Sequence, residues 1–579
     1  MRFYKYIVSF ILFATFIFAT IDTHWFVYPA LSRSLSMEIG MLTFALLILP
    51  FGLASKSLPF SKYDMLALAW IGYIAIHALL TSPHETYRTI YLCNSLLFLV
   101  LLSTGIRKGI VQRTTVENCI LAAAIIHLIY IAGQSFGIIG SGNSHFFITG
   151  SNENPTVTAL YLTACIPLIV SRIRKGVHRI YFAIFLLAAF SAIICLRCRT
   201  AYVGLIVEFI VCIVAYRKII LSKITKYIRY KSIFIIALAT VSIFSLTQLY
   251  LMKKDSADGR LLIWKISLNM IAEKPLGYGY GLFEKNFNLK QSEYFERGKY
   301  SKTEKRNADF VYMAYNDYLE HGIEGGIFGM MFLCVFYCIT IRKTVRGKRT
   351  GDTAVIIAFT VMSLTNFVYS SIQPWLILMC YAAFCDSTTI NKSENKNKIP
   401  DMIMTSALLV VTFSLMYKTA SMAKAQYQLN NIENIRKEAK TINDKFYSDI
   451  EHEISTSEAF WKSRASNHMA NKEFKNAITA IHKARLYSSS PQLLYREKQC
   501  QMLLGDTACA IKVLTTLSYM RPKDLALKHE LMMFHDMAGD KALTLHYAND
   551  ILTTDSKRRT SRNQSITNHA LKIKKRYEK

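Results

Sequence analysis

The apolar residues of this chain are gathered into long runs separated by short polar segments. Several runs extend over 16 to 21 residues without Lys, Arg, Asp or Glu, and a helix of about 20 residues crosses the roughly 30 Å hydrocarbon core of a bilayer. The pattern predicts an all-α fold built around a polytopic membrane helical bundle. The thirteen predicted spans cover residues 6–21, 39–54, 65–81, 89–106, 118–137, 155–171, 180–196, 200–216, 232–252, 322–341, 354–370, 371–385 and 402–417.

Lys and Arg are concentrated in alternate loops between these spans. The chain has a formal charge of +30, which would suit nucleic acid if it were spread over one face. Instead the basic residues cluster at 107–113, 172–179, 217–231, 342–349 and 392–398. Cytoplasmic loops of membrane proteins carry such an excess, so the N-terminus is predicted to be cytoplasmic and the C-terminus external. We expect no nucleic-acid partner.

The composition changes to that of a soluble protein at about residue 456. Three similar segments place Lys472, Gly505 and Gly539 at equivalent turn positions, 33 and 34 residues apart, and this period resembles tetratricopeptide repeats. We predict a membrane domain over 1–419, a helical linker over 420–455, and an α-solenoid with a basic tail over 456–579. An ordinary helical bundle is the alternative for the last part. Repeats of this kind usually bind a protein partner on their concave face.

Two long segments, 138–154 and 253–321, face outward in this topology. Arg197 and Arg199 stand at an external helix end, which the charge rule disfavours. Arg260 begins a predicted helix, where a positive charge opposes the helix dipole. A guanidinium group can donate two parallel hydrogen bonds to the oxygens of one phosphate, and it keeps its charge. Arg199 and Arg260 are therefore candidates to bind a phosphate group. Arg197 has an alternative role, snorkelling into lipid headgroups.

Polar residues also crowd the stretch MAYNDYLEHGIEGG, from Met313 to Gly326, where the external loop gives way to a span. On a helix, Tyr315, Leu319 and Gly322 would share one face. Asn316, Glu320 and Ile323 would share the neighbouring face. Glu324 would lie just inside the membrane, where an ionisable residue is a functional candidate; pairing with a nearby arginine is its alternative. The preceding glycines at 277, 279 and 281 predict a turn that lets the backbone pass close to another element.

Four motifs carry a resemblance to a known family. In order they are GSNENPTVTALYL, CLRCRTAYVGL, DGRLLIWKISLNMIAEKPLGYGYGLF and AYNDYLEHGIEGGIFG. Together they resemble the O-antigen ligase and O-antigen polymerase superfamily over about residues 138–340. The resemblance implies a membrane glycosyltransferase of the GT-C type. Such an enzyme takes a glycan from an undecaprenyl-diphosphate carrier and joins it to an acceptor outside the bacterial cytoplasmic membrane.

The same resemblance implies a set of site residues. Arg199 and Arg260 would bind the diphosphate, and Tyr315 occupies the position where the family motif has His. A tyrosine with a pKa near about 10 donates a hydrogen bond more readily than it accepts a proton, so Tyr315 is placed in the site without being the general base. His321, Glu320 and Asp317 are possible substitutes for the base. The predicted substrate-binding residues are Arg197, Asn154, Trp264, Asn316, Asp317, His321 and Glu324.

Several alternatives remain open for the function. The acceptor is a lipid A core sugar, a growing glycan or a protein hydroxyl, which correspond to a ligase, a polymerase and an oligosaccharyltransferase. A transporter of lipid-linked sugars is a different class, but it predicts several ionisable residues deep in the spans, and only Glu208 is deep here. A pure membrane anchor for the tail is a third class, and thirteen spans exceed that need. No cofactor and no metal are expected, because the Cys and His spacings form no metal motif.

Overall fold

The computed structural model describes residues 2–55, 58–176, 178–224, 254–386, 399–439, 442–554 and 560–578. Within these ranges the chain forms helices joined by turns and loops, and contains no strand. The predicted all-α fold is confirmed. The predicted span at 232–252 lies outside the described residues.

The membrane part begins with eight helices that alternate between the two ends of a bundle. Seven of them are long and apolar enough to span a membrane, whereas α7 is shorter. The bounds are α1 Arg2–Thr20, α2 Pro29–Ala54, α3 Lys62–Leu80, α4 Thr86–Arg107, α5 Arg113–Ser135, α6 Pro155–Arg174, α7 Arg179–Cys195 and α8 Arg199–Ile224.

After residue 253 the described chain first forms a helical segment outside the bundle, which we name the external segment after its predicted side of the membrane, and then returns to the bundle. The segment contains α9 Lys254–Glu273, α10 Phe283–Glu296, α11 Lys302–Asn307 and α12 Asp317–Glu324. The bundle is completed by α13 Gly326–Arg346, α14 Thr350–Met362, α15 Ile372–Asp386 and α16 Ile399–Ala439. With α13 and α16, nine described helices have the length and composition of a span. The protein is therefore a multi-pass membrane protein.

Helix α4 lies at the centre of the bundle. Nearly all of its spanning window is buried, and it packs against α2, α3 and α15. Its sequence from Leu96 to Leu102 is apolar on every side, as expected for a helix that contacts protein all round. The largest buried side chains around it include Phe44, Phe98 and Trp375. Because α4 is central, its start lies among the loops that form one end of the bundle.

Two predicted spans have different boundaries in the structure. The predicted span 354–370 ends as a helix at Met362, and residues 363–371 form a loop before α15. Ser, Thr and Asn side chains in that loop compete with the helix for backbone hydrogen bonds. The predicted span 322–341 is split at Gly326, whose φ is +66°, so α12 and α13 are separate helices. A Cβ on Gly326 would lie 2.5 Å from the Pro275 carbonyl oxygen.

The glycine turn before α10 packs closely against that split. Tyr278 N–H donates to the Ile323 carbonyl at 2.7 Å, and Gly279 N–H donates to the Glu324 carbonyl at 2.9 Å. A Cβ on Gly277 would lie 2.4 Å from the Gly326 nitrogen. The predicted close approach of this turn to another element is confirmed. It attaches the external segment to the start of α13.

Among the described residues, the basic turns at 107–113, 172–176 and 342–349 lie at the other end of the bundle. Arg113 binds Asp352 through two hydrogen bonds of 2.9 and 2.7 Å, and its Nε donates to Glu117 at 2.7 Å. Arg107 pairs with Asp64. These ion pairs join the α4–α5, α3 and α13–α14 regions. The external segment and the loop 363–371 therefore share one end of the molecule, and the clustered basic residues share the opposite end.

The C-terminal part follows directly from α16. This helix has 41 residues, which at 1.5 Å per residue gives about 60 Å, twice the thickness of a hydrocarbon core. Eight helices follow, and neighbours in sequence pack on each other. They are α17 Lys445–Ile454, α18 Glu458–Ala470, α19 Phe474–Ala484, α20 Pro491–Leu503, α21 Thr507–Met520, α22 Leu525–Met537, α23 Lys541–Thr553 and α24 Ser561–Glu578.

The three predicted turn positions of this part have the same backbone geometry. The φ angles of Lys472, Gly505 and Gly539 are +61°, +81° and +75°, in the left-handed region typical of a helix end. Successive helix packing and equivalent turns fit a solenoid, and they also fit a bundle. The tetratricopeptide assignment and the domain boundaries stay predictions.

The C-terminal helices rest on the external segment. Asp309 accepts hydrogen bonds from Arg521 Nε at 3.1 Å and pairs with Lys523 at 2.7 Å. Gln291 Nε2 donates to the Met520 carbonyl at 2.8 Å, and Ser489 Oγ donates to Glu284 at 2.9 Å. The soluble helices thus lie at the end of the bundle that carries the candidate site residues.

Candidate functional site

Arg260 projects from α9 toward the loop 363–371. Its Nη1 donates a hydrogen bond of 2.5 Å to the Thr365 carbonyl, and its Cζ lies 5.0 Å from the centroid of the Tyr315 ring. A guanidinium over an aromatic face is attracted to the ring electrons. Arg260 is thereby held in one orientation by α9, the 363–371 loop and Tyr315.

Arg199 begins α8 close to Arg260. The pKa of Arg260 is lowered, first by burial and next by the positive charge of Arg199. Two guanidinium groups within electrostatic reach repel each other, and an anion bound between them would remove that repulsion. The structure therefore brings together the two arginines that the sequence singled out, on one side of the molecule.

Tyr315 has a left-handed backbone, with φ of +51°. This conformation is costly for a residue with a side chain and is concentrated at functional sites. Its ring packs edge-on against Phe367 at 5.8 Å, which supports the face that meets Arg260. Burial raises the pKa of Tyr315, while the neighbouring Arg260 opposes the rise. The phenol is therefore protonated at neutral pH and can donate a hydrogen bond.

Asp317 anchors the 363–371 loop. Its Oδ2 accepts hydrogen bonds from the N–H groups of Val368 at 3.0 Å and Tyr369 at 3.2 Å, and its own N–H donates to the Ser363 carbonyl at 2.8 Å. Burial raises the pKa of Asp317 to about 8. These contacts give Asp317 a positioning role, because they hold the loop that carries the carbonyl bound by Arg260.

His321 is fully buried among aromatic rings. Its ring centroid lies 3.9 Å from that of Tyr369, with Trp70 at 5.7 Å and Tyr280 at 6.2 Å. Neither ring nitrogen has a hydrogen-bond partner among the described residues. Burial lowers the pKa of His321 to about 3, and the positive charge of Arg88 adds to that effect. The histidine packs the base of the site among these rings, and its role as a substitute base stays a prediction.

Glu320 and Glu324 extend from α12 into a polar network around Arg88. Glu320 accepts hydrogen bonds from the Ala314 N–H at 2.9 Å and from Ser370 Oγ at 2.6 Å. Glu324 accepts from the Tyr369 hydroxyl at 2.6 Å, and burial raises its pKa to about 7, with the charge of Arg88 opposing. Glu324 is therefore bound to Tyr369, and its pairing with an arginine stays a prediction.

Arg88 is the main residue that sequence reasoning missed. Its Nη2 donates to Ser370 Oγ at 2.8 Å and lies 3.9 Å from Glu320, and its Cζ lies 4.1 Å from the Tyr369 ring centroid. A signal was available, because Arg88 begins α4 at the external end and departs from the charge rule as Arg199 does. The 363–371 loop had no such signal, since an apolar run covered it.

The remaining predicted residues have structural contacts of their own. Asn154 caps α6 by accepting from the Thr156 N–H at 2.9 Å, and Asn316 caps α12 by accepting from the N–H groups of residues 318 and 319. Such caps stabilise a helix start. Trp264 Nε1 donates to the Ala314 carbonyl at 3.3 Å, directly before Tyr315. Arg197 is exposed and has a left-handed backbone.

Two cavities show how the ends of the bundle differ. A cavity of about 420 Å³ is lined by Arg260, Tyr315 and the segment 307–311 of the external part. A second cavity of about 1080 Å³ lies toward the basic end and is lined by Glu208, Arg113 and Asp352. Both carboxylate oxygens of Glu208 lack a hydrogen-bond partner among the described residues. Only the first cavity adjoins the predicted site.

The fold and this geometry define a class, a polytopic helical membrane protein with a cationic, partly buried site at one end. The family described as O-antigen ligase matches residues 182–334. The resemblance inferred from the motifs is confirmed over that range, which contains the last three of the four motifs. The match indicates a glycosyltransferase-like enzyme of the ligase and polymerase type. No curated protein matches the sequence.

The matched range contains some of the site residues and excludes others. Arg199, Arg260, Tyr315 and α12 lie within it, whereas Arg88 and the 363–371 loop lie outside it. The C-terminal helices also lie outside the match. The 363–371 loop was therefore recognisable only from its contacts, whereas Arg88 also departs from the charge rule.

Proposed function

We propose that this protein is a membrane glycosyltransferase that moves a glycan from an undecaprenyl-diphosphate carrier to an acceptor hydroxyl. The observation that supports it is the proximity of Arg199 and Arg260. The positive charge of Arg199 contributes to lowering the pKa of Arg260. A diphosphate would lie against both guanidinium groups. Two positive charges that lie near each other repel, so a diphosphate bound against both would stabilise the arrangement.

The reaction is a displacement at the anomeric carbon of the carried glycan. The acceptor oxygen forms the new bond to that carbon, and the bond from the carbon to the phosphate oxygen breaks. Its electron pair leaves with undecaprenyl diphosphate, and the acceptor proton passes to a base or to a phosphate oxygen. Arg199 and Arg260 stabilise the negative charge that grows on the leaving oxygen, which is the effect of a preorganised electrostatic site.

Tyr315 would act as a hydrogen-bond donor to the leaving group. Its raised pKa keeps the phenol protonated, and its ring already lies under Arg260. His321 is an unsuitable base because it is buried among aromatic rings and its pKa, lowered to about 3, makes it a weak proton acceptor. We therefore assign the rate enhancement mainly to charge stabilisation by the two arginines, with Tyr315 as a third donor.

We further propose the orientation of the protein and the identity of its surroundings. The basic turns would face the bacterial cytoplasm under the charge rule, so the site and the C-terminal helices would lie outside the inner membrane. The acceptor is then a lipid A core sugar, a glycan repeat or a protein hydroxyl. The C-terminal helices, if they are tetratricopeptide-like, would bind a protein partner.

The direct test uses purified full-length protein in liposomes that contain an undecaprenyl-diphosphate-linked glycan and the membrane fraction that supplies the acceptor. Arg199→Ala and Arg260→Ala are each expected to abolish transfer. Arg297→Ala, at an exposed arginine of the same external segment, is the matched control and should retain it. Full transfer by both site variants would reject this function.

A further inference from the structure

The cavity that contains Arg260 and Tyr315, of about 420 Å³, is bounded on one side by a segment that lies mostly outside the helices. We call this cavity the arginine cavity. We call residues 307–311, all of which line it, the cavity wall. Helix α11 ends at Asn307 and α12 begins only at Asp317, so helix hydrogen bonds do not fix the segment between them. Contacts with other elements must therefore hold the wall in place.

Helix α10 fixes the backbone of the cavity wall. The side-chain amide of Asn288 donates to the Val311 carbonyl at 2.8 Å and accepts from the Val311 N–H at 2.9 Å. Gln291 Nε2 donates to the Asp309 carbonyl at 2.9 Å, and the same nitrogen donates to the Met520 carbonyl at 2.8 Å. Met520 is the last residue of α21. One buried amide therefore joins the cavity wall to the C-terminal helices.

The turn between α21 and α22 holds the side chain of Asp309. Arg521 Nε donates to Asp309 Oδ1 at 3.1 Å, and Lys523 Nζ lies 2.7 Å from Asp309 Oδ2. Burial acts to raise the pKa of Asp309, but the bond to Lys523 and the charge of Arg521 outweigh it, and the pKa is lowered. Asp309 is therefore ionised at neutral pH and paired with two cations of the C-terminal part.

A second ion pair attaches the helix that leads into the cavity wall. Lys305 of α11 pairs with Asp550 of α23. At the start of the wall, a Cβ on Gly259 would lie 3.8 Å from the Asn307 carbonyl oxygen, so the wall begins directly beside the residue before Arg260. The C-terminal helices thus hold the segment that lies next to the candidate donor-binding arginine.

These contacts are better suited to positioning than to stabilising the fold. The side chains of Arg521 and Lys523 are each 29% exposed, and that of Asp309 is 42% exposed. Exposed ion pairs contribute little to stability. Position matters more, because a displacement of about 1 Å in a site can change a rate about 100-fold. We therefore expect these pairs to affect the geometry of the arginine cavity more than folding.

We propose that Arg521 and Lys523 are positioning residues of the donor site, which hold the cavity wall against a diphosphate bound at Arg260. This inference rests on the transferase function proposed above and adds to it a role for the C-terminal helices. The two cations are not among the described residues that line the cavity, so they act through Asp309. Docking of the C-terminal helices thereby completes the donor site.

The test measures saturation binding of radiolabelled undecaprenyl diphosphate to the purified full chain in lipid nanodiscs. The paired variant, Arg521→Glu with Lys523→Glu, places two carboxylates against Asp309. It should raise the Kd about tenfold, as the loss of one hydrogen bond to a charged group would, and leave the number of binding sites per folded molecule unchanged. A purely structural role would instead reduce the number of sites and leave the Kd unchanged.

Reversal of the charges on both sides tests whether the ion pairs cause the effect. Asp309→Lys in the paired variant returns opposite charges to the same positions, so it should bring the Kd back to within about threefold of the wild type. Asp309→Asn alone keeps the size of the side chain and weakens both pairs. It should raise the Kd by a smaller factor.

Ser489→Ala is the matched control. It removes a different contact between the C-terminal helices and the external segment, the bond of 2.9 Å from Ser489 Oγ to Glu284, which does not hold the cavity wall. The Kd of this variant should equal that of the wild type.

An unchanged Kd in both the paired variant and Asp309→Asn would overturn the positioning role while the donor function stands. A raised Kd that Asp309→Lys does not correct would also overturn it, because the effect would then not come from the ion pairs. A wild-type protein that neither binds undecaprenyl diphosphate nor transfers glycan would instead reject the transferase function.

Discussion

Arg113 and Arg260 lie at opposite ends of the same bundle and have opposite surroundings. Arg113 is paired with two carboxylates, Asp352 and Glu117. Arg260 donates to a carbonyl, lies over a phenol ring and is repelled by Arg199. The first arginine is neutralised within the protein and joins helices. The second is held in place while its charge remains available to an anion. This difference separates a structural arginine from a binding arginine.

The largest loss of transfer is expected when the binding arginine, Arg260, is replaced. Arg260→Ala should reduce transfer by about 1000-fold, as expected when a preorganised charge is removed from a leaving group. Arg260→Lys keeps the charge and loses the paired geometry, so it should retain a small fraction of the activity. Initial rates in liposomes measure both. Equal rates in the wild type and the Ala variant would remove the distinction between the two ends.

Arg113→Ala should affect stability instead of chemistry. It removes the ion-pair partner of the buried carboxylate of Asp352, whereas Glu117 keeps Arg172 at 2.9 Å. Loss of one partner from a buried pair costs about 3 kcal/mol, so the protein should unfold at a lower temperature. The fraction that remains folded should transfer glycan at nearly the wild-type rate. Heating followed by size-exclusion chromatography in detergent measures the first effect, and rate per folded molecule measures the second. A folded variant without activity would contradict a structural role.

Removal of the Tyr315 hydroxyl should reduce transfer less than removal of the Arg260 guanidinium. Tyr315→Phe keeps the ring under the guanidinium and removes the hydroxyl, so transfer should fall by roughly tenfold, the value of one hydrogen bond to a charged group. Tyr315→His keeps a donor and should be less impaired. The comparison needs both variants at saturating donor. Full activity of the Phe variant would show that the hydroxyl has no part in the reaction.

The buried carboxyl of Asp317 predicts a pH dependence of stability. Its folded pKa is raised to about 8, above the unfolded value of about 4, so the folded state binds the proton more tightly. This contribution is complete below about pH 4 and is lost as the pH rises through about 8. Asp317→Asn keeps an acceptor for the loop 363–371 and should flatten the profile. Unfolding temperatures at pH 4 to 8 measure it; identical slopes would contradict it.

Removal of metal ions should have the smallest effect. The proposed reaction stabilises the leaving diphosphate with guanidinium groups, so transfer should persist when a chelator is added to the liposomes. Restoration of lost activity by one added divalent ion would show that a metal shares the task of Arg199 and Arg260. The control is Arg297→Ala, which should behave like the wild type with and without chelator.

Sequence reasoning found the site arginines and Tyr315 because each departs from a local expectation. Arg199 has the wrong charge for its predicted end of a span, and Arg260 was placed at a helix start, where its charge would oppose the dipole. The structure corrects that position, because α9 begins at Lys254, six residues before Arg260. The functions assigned to His321 and Asp317 rested on residue type alone, whereas burial and contacts decide what these side chains do. Asp317 is bound to a loop about 50 residues later in the chain, and His321 meets rings from three separate segments.

Span positions and the separation of basic from non-basic ends can be read from the chain because a bilayer acts on each segment separately. About 20 apolar residues are needed for every crossing, and the loop charges are sorted one by one. The role of Arg88 depends on Ser370, 282 residues away, and the bond from Arg521 to Asp309 joins the two parts of the protein. Such contacts arise when segments that are far apart in the sequence pack together. A short stretch of neighbouring residues therefore contains no signal for them.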